Sequence, residues 1–454
     1  MTVDARLANR LKTAAGLWEK YTDSVAPRQL DKWLAEAMRA EKRFGSQDRR
    51  FYSNILFCSA RLATKVAFQS FAASDFELFL QKPESDQRNL LDRFASEAAT
   101  ETKLWAMVRN LSPVHLMQAS NSFLEQFTSH SVSNDVVFKK YLAKENLDDT
   151  DYQLLLIAHG IPPVWSASLK RRVEKSHWSC AQLLDFLRLQ NERPPLWIRL
   201  NNVAAREKVD QDLKSHDLLV HWQDDGRSAK VSGTFGVYQA SSFRDGLFEV
   251  QDWASQQISI AVDARPGQKV WDACAGGGGK SVAIAADLKG KGALYASDIR
   301  EHKLVEVRRR CLRAGFHNVR TLAWDGKQAP AFGKEIAIQS GFDAVLVDAP
   351  CTSSGTWRRN PDARLRIASE ADRKSLWELQ KQLLINALAL VRPGGRLVYG
   401  TCSWCVEENE DVFLGVAEAN TKLRVDGLKM TLHGSPQMDS DTMFSGTLLL
   451  ANEP

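Results

Sequence analysis

Long apolar runs are missing from this chain. No stretch approaches the roughly 20 residues that a bilayer-spanning helix needs. The opening segment MTVDARLANRLKTAAGLWEKY is charged throughout and lacks the apolar centre of a secretory signal. A cysteine framework is missing as well. The seven cysteines (Cys58, Cys180, Cys274, Cys311, Cys351, Cys402 and Cys405) are odd in number and irregular in spacing. They read as reduced thiols in a cytoplasmic setting rather than as disulfides. Only Cys402 and Cys405 stand as Cys-x-x-Cys. Without a second such pair a structural zinc site is excluded, and no metal is expected. There are no repeats, no low-complexity tracts and no apolar-poor tail. Strong charge of one sign is absent too. Sixty Lys and Arg against 55 Asp and Glu leave a net charge of +5, so any argument for an anionic partner rests on local clusters.

What is present divides into three parts. Residues 1–150 are rich in Ala, Leu, Glu, Lys and Arg and poor in Pro, which predicts a helical bundle. Over Asp48–Val66, Phe51, Ile55, Leu56, Leu62 and Ala63 fall on one side of a helix, with Ser46 as its expected N-cap. Residues 151–240 are punctuated by Pro162-Pro163 and Pro194-Pro195. WIRLNNV reads there as a strand and VDQDLKSH as a helix, predicting a small α/β module. Residues 241–454 alternate strand-length apolar runs (270–273, 293–298, 319–324, 343–349, 396–401) with helix-length segments. This is the pattern of a parallel, Rossmann-like sheet covered by helices on both faces. Such sheets bind ligands at the carboxyl ends of their strands.

The candidate chemistry lies at those ends. The first strand runs into DACAGGGGKS, where successive glycines let backbone approach a ligand just before a helix. The spacing fits neither the phosphate-binding Gly-Lys-Ser loop nor the Gly-x-Gly-x-x-Gly loop cleanly. Asp298 closes the second strand, where a carboxylate can accept from ribose hydroxyls. Asp325 follows the third strand, within reach of an adenine amine, and Asp348 closes the fourth. A nicotinamide enzyme would use the glycines and Asp298 but has no use for Asp348 followed by Pro350-Cys351.

Two cysteines end neighbouring strands, one in DAPCTSSGTWRRNPD and one in GTCSWC. Together with Asp348 they match the needs of methyl transfer to C5 of cytosine. That carbon is a poor nucleophile until a thiolate adds at C6 and N3 is protonated or hydrogen-bonded, and the C5 proton must then be removed before the thiolate leaves. The remaining cysteines read as packing or loop residues. Arg358, Arg359 and Arg364, with Arg366, form a basic stretch after the active-site loop that suits phosphate contacts. Trp357 either stacks on a base or packs. Arg308–Arg310 and Lys170–Arg172 are further clusters that a solvated helix face explains equally well.

As a set these motifs resemble the RsmB/NOP family of RNA 5-methylcytosine methyltransferases. DACAGGGGKS is similar to that family's DACAAPGGKT, DAPCTSSGT with RRNPD to its fourth motif, and GTCS followed by VEENED to its sixth. RFGSQDRRFYSNILFCSARL resembles the NusB-like helical domain of the bacterial branch acting on 16S ribosomal RNA. The resemblance implies S-adenosylmethionine as cofactor, held by Cys274, Ala275, Gly276, Gly277, Gly278, Gly279, Lys280, Asp298, Asp325 and Asp348. It also implies Cys402 as covalent nucleophile, Cys351 as the group assisting product release, an RNA substrate, and a multidomain monomer. A non-catalytic ribosome-assembly factor with a relic cofactor site is the alternative. Three departures stand out: Gly276-Gly277 in place of Ala-Pro, Arg364 in place of lysine, and MDSDTMFSGTLLL without the usual Asp-Gly-Phe-Phe.

Overall fold

The computed structural model describes all residues except 1–4, 24–28, 75, 129–140, 142–143, 145, 234–235, 339, 367–369, 432–438 and 453–454. It divides into two units, Met1–Arg193 with Thr356–Arg373 and Pro194–Gly355 with Lys374–Pro454. The boundary between these units falls at Pro194-Pro195. The helices Asp149–Ala158, Ser166–Ser176 and Cys180–Leu189 bury Leu155, Ile157, Leu169, Leu183 and Leu187 and belong to the first unit.

The first unit is helical among its described residues. Its longest helix, Ser46–Ala72, buries Ile55, Leu56, Ser59, Leu62, Ala63 and Ala67, linked by three- and four-residue steps. Phe51 is half-buried on its flank. Gly45, not Ser46, is the N-cap, and no side chain caps this end. Asp148 and Asp151 form a reciprocal capping box at the start of Asp149–Ala158, each accepting the other's backbone N–H.

The second unit carries two sheets. The smaller contains β1 (Leu196–Leu200), β2 (Leu219–Trp222), β3 (Ser228–Ser232) and β4 (Phe248–Val250), all antiparallel in the order β2-β3-β1-β4. Helices between β1 and β2 and between β3 and β4 make it a split βαβ arrangement. This is the small α/β module, but it spans 196–250 rather than 151–240.

The larger sheet contains β5 (Lys269–Asp272), β6 (Ala293–Asp298), β7 (Val319–Ala323), β8 (Phe342–Asp348), β9 (Val391–Thr401), β10 (Leu423–Thr431) and β11 (Met443–Leu450), in the order β10-β11-β9-β8-β5-β6-β7. The five strands β5–β9 are parallel and correspond to the five apolar runs of the sequence. Alternate residues serve opposite faces. Trp271, Val345, Val347, Leu397 and Tyr399 meet Leu384 and Phe413 on one side. Val270, Leu294, Leu346 and Val398 meet Ile258, Ile284 and Leu288 on the other. Burial on both faces is why β5, β6, β8 and β9 read as continuous apolar runs. The antiparallel β10 and β11 were not expected. β10 forms the sheet edge and is largely exposed, whereas β11 lies between β10 and β9 and is mostly buried. The strand order reverses between β5 and β8, so the switch-point crevice opens beside Asp272 and Asp348.

Candidate active site

The glycine loop turns from β5 into the helix Gly279–Leu288. Its first bond pairs Ala275 N with Ser297 O at 2.8 Å, and the Gly278 N–H closes the turn onto Ala275 O at 2.9 Å. Gly276 adopts φ +51°, and a Cβ placed there meets no atom within 4 Å, so the space above it is open to a ligand. Its N–H donates to Asp298 Oδ2 at 3.0 Å. Asp298 also accepts from the Arg300 N–H and Nε at 2.9 Å each. Burial works against its charge, but the Arg300 and Gly276 donors outweigh it and hold the carboxyl below the usual range. Below the loop, Asp272 is fully buried and accepts from Ser281 Oγ at 2.6 Å, and burial raises its carboxyl to about 7. Asp325 is exposed, accepting the Lys327 N–H at 3.1 Å.

Across the crevice, Asp348 at the end of β8 pairs with Lys280 Nζ at 2.7 Å. Beside them Cys351 Sγ and Cys402 Sγ lie 3.1 Å apart, both half-buried. Ser353 Oγ is 3.6 Å from Cys402 Sγ. The two thiols are pushed in opposite directions. A hydrogen bond from Cys351, helped by Ser353 and the Lys280 ammonium, brings Cys402 below the ordinary thiol range against the opposing effects of burial and Asp348. The same bond and the loss of water around it push Cys351 well above that range. Of the two, Cys402 is thus the more readily ionised thiol. Burial and three nearby aspartates raise Cys274 well above the usual value, so it stays a thiol.

Residues that the motif reading did not single out hold this geometry. Glu408 is fully buried and accepts from Thr352 N at 2.8 Å and Thr352 Oγ1 at 2.6 Å, fixing the turn after Cys351. Gln380 Nε2 reaches both Glu408 and Pro350 O, at 3.2 and 2.9 Å. Gly355 donates to Cys402 O and accepts from Thr442 N, both at 2.9 Å. Ser353 adopts φ +58°. Only the VEENED segment hinted at Glu408. The other contacts arise from loop geometry, which single-residue patterns do not display.

The expected phosphate contacts at Arg358 and Arg364 need correction. Both side chains are fully buried in the helical unit. Arg364 donates to His159 O, Gln190 O and Asn191 Oδ1 at 3.2, 2.8 and 3.0 Å, and Arg358 Nε donates to Glu192 O at 3.2 Å. A guanidinium committed to carbonyls and out of water is not available to a phosphate. Arg359 is half-buried. Trp357 packs edge-on against Trp165 with centroids 5.1 Å apart. Cys58, Cys311 and Cys405 are buried, and the Cys180 thiol donates to Tyr141 O at 3.0 Å. Among the described residues no group of three or more His, Cys, Asp or Glu gathers to hold a metal ion, and no helix is long and apolar enough to cross a membrane.

Residues 259–443 match the family model described as 16S rRNA methyltransferase RsmB/F. The chain is 35% identical over 170 residues to the probable ribosomal RNA small subunit methyltransferase B of Bacillus subtilis (strain 168), covering 37% of each protein. It is 27% identical over 278 residues to ribosomal RNA small subunit methyltransferase B of Enterobacter sp. (strain 638), covering 58% of this chain and 60% of that one. The matches thus span 37% and 60% of these two relatives' lengths. The crystal structure of PH0851 superposes with a TM-score of 0.66 over 99% of both chains at 22% identity, a likeness of fold. Residues 259–443 are thus similar to the RsmB/F methyltransferase family.

Proposed function

We propose that this chain methylates C5 of a cytosine in RNA, with 16S ribosomal RNA as its substrate and S-adenosylmethionine as methyl donor. The observation that carries the reading is the approach of Cys351 and Cys402 to 3.1 Å at the carboxyl ends of adjacent strands, next to the Lys280–Asp348 pair. Open space over Gly276, the engaged carboxylate of Asp298 and the switch-point position fit the cofactor, with Cys274–Lys280, Asp298, Asp325 and Asp348 around it. When bound, it supplies an electrophilic methyl group.

The chain's own residues do the rest. Cys402 Sγ, as thiolate, bonds to C6 of the cytosine and drives electron density toward C5. Asp348, held by the Lys280 ammonium, accepts hydrogen bonds from the base at its exocyclic amine and at N3, which carries a proton during attack at C6. After C5 is methylated, water in the crevice takes its remaining proton as base, the electrons of that C–H bond restore the C5=C6 double bond, and the C6–S bond breaks with its electron pair returning to Cys402. Cys351 assists that release. The target base must leave any helix to reach these groups. The helical unit, NusB-like in this reading, and Arg359 serve RNA binding, and the protein works in the cytoplasm as a monomer.

Incubation with 16S RNA and radiolabelled S-adenosylmethionine tests the assignment. Cys402→Ala should lower turnover by at least about a thousandfold and form no adduct. Cys351→Ala should accumulate a protein–RNA adduct that survives denaturing electrophoresis. Cofactor binding by the unaltered protein without methyl transfer to any RNA would instead indicate an assembly factor.

A further inference from the structure

Outside the crevice, one buried carboxylate is linked to the glycine loop. Glu249 lies on β4 in the small sheet, 1% exposed, opposite Arg199 of β1 in the strand pairing. Two arginines of the helix Glu301–Arg313 converge on it. Arg310 Nη2 donates to Glu249 Oε2 at 2.7 Å, and Arg313 Nη2 reaches Oε1. The other terminal nitrogen of Arg310 donates to Gly277 O at 2.5 Å. The guanidinium of Arg310 thus bridges a buried carboxylate and a carbonyl of the glycine loop.

This matters because the loop cannot restrain itself. Gly276 and Gly277 have no side chains to pack, and glycine has more conformational freedom to lose than any other residue. Gly276 is tied through its N–H to Asp298, and Gly277 through its carbonyl to Arg310. A planar guanidinium can make both of its bonds in one fixed geometry, which an ammonium on a flexible stem cannot reproduce. Arg313 in turn stacks its guanidinium 4.2 Å from the centroid of Phe243, which fixes the second side of Glu249. The assembly is not sealed in the core. A cavity of about 370 Å³ lined by Tyr238, Phe243, Arg309 and these charged residues opens on its outer side. Neither the strand nor the helix contributes a group to the crevice, yet both set the path of the loop there.

We propose that Glu249 and Arg310 are positioning residues for S-adenosylmethionine, holding the Gly276-Gly277 segment in its binding conformation. The inference rests on the functional reading above. It is tested on the full-length protein by calorimetric titration with S-adenosylmethionine and by steady-state methylation of RNA. Arg310→Met should raise the Kd and the KM for the cofactor about tenfold, a change of about 1.4 kcal/mol. Its kcat at saturating cofactor should stay within about twofold, since no reacting group is lost. Arg310→Lys should recover only a small part of the affinity. Glu249→Gln should move KM in the same direction. The double variant Glu249→Gln/Arg310→Met removes both members together, so that loss of affinity cannot be laid to an orphaned carboxylate. Unchanged cofactor affinity in Arg310→Met or in the folded double variant would overturn the inference, as would a fall in kcat with KM unmoved. Failure of the unaltered protein to bind S-adenosylmethionine would sink the functional reading itself, and this inference with it.

Discussion

Cys351 Sγ and Cys402 Sγ lie 3.1 Å apart, and their shared hydrogen bond pushes the two thiols in opposite directions, Cys351 up and Cys402 down. Alkylation by iodoacetamide, followed by mass spectrometry across pH, reads this directly, because only the thiolate reacts. Cys402 is deprotonated above its lowered pKa. Its rate should therefore rise with pH at values below the ordinary thiol pKa of about 8.5, while Cys351 reacts only at higher pH. In Cys351→Ala the Cys402 rate should rise at higher pH, since the main stabiliser of the thiolate is gone. Lys280→Met should shift it in the same direction. If Cys351 were alkylated first, the order of the two roles would have to be reversed.

Gly355 supports that pair from behind. It is bonded to Cys402 O on one side and to Thr442 N on the other, and a Cβ there would lie 1.9 Å from Thr442 O. No rotamer relieves a clash with backbone. Gly355→Ala should cost about 1–3 kcal/mol in urea denaturation, in the range of overpacked interiors. It should also reduce turnover in the folded fraction, because relief requires moving the strand end that carries Cys402.

Arg364 separates stability from binding. Its guanidinium is fully buried and spends its bonds on His159 O, Gln190 O and Asn191 Oδ1. Arg364→Met should destabilise the protein by on the order of 3 kcal/mol, since several buried acceptors lose their donor. The folded fraction should bind RNA with unchanged affinity and an unchanged slope against salt, because no phosphate contact is removed. A flatter salt slope in filter binding would restore Arg364 to the RNA surface.

These cases show what sequence could and could not reveal. The strand ends were legible because Asp272, Asp298, Asp348 and Cys402 each follow an apolar run buried on both faces, a pattern set by short-range periodicity. The fate of Arg358 and Arg364 was not. A basic cluster looks the same whether its cations face water or carbonyls, and the carbonyls come from residues some 170 positions away. Glu249 and Arg310 were invisible for the same reason, since only the packed fold brings them to Gly277. The boundary at Pro194 was marked by prolines. The assignment of residues 151–193 to the first unit depended on where helix faces find partners, which local composition does not state.

Gly276 is the point at which family resemblance and this structure part company. The usual Ala-Pro would place an alanine before a proline, a setting that drives the alanine toward extended backbone. Here Gly276 has φ +51°, which a side chain rarely tolerates, although nothing within 4 Å would obstruct a Cβ. The effect of Gly276→Ala is then conformational rather than steric. Holding alanine in the left-handed region costs about 1–2 kcal/mol. The variant should lose about that much stability if the loop keeps its path. If the loop relaxes instead, the N–H bond to Asp298 is broken, stability is largely kept, and cofactor affinity falls. Thermal melts with and without S-adenosylmethionine distinguish the two. An alanine variant identical to the parent in both melts would show that the left-handed turn at Gly276 is not the conformation that binds.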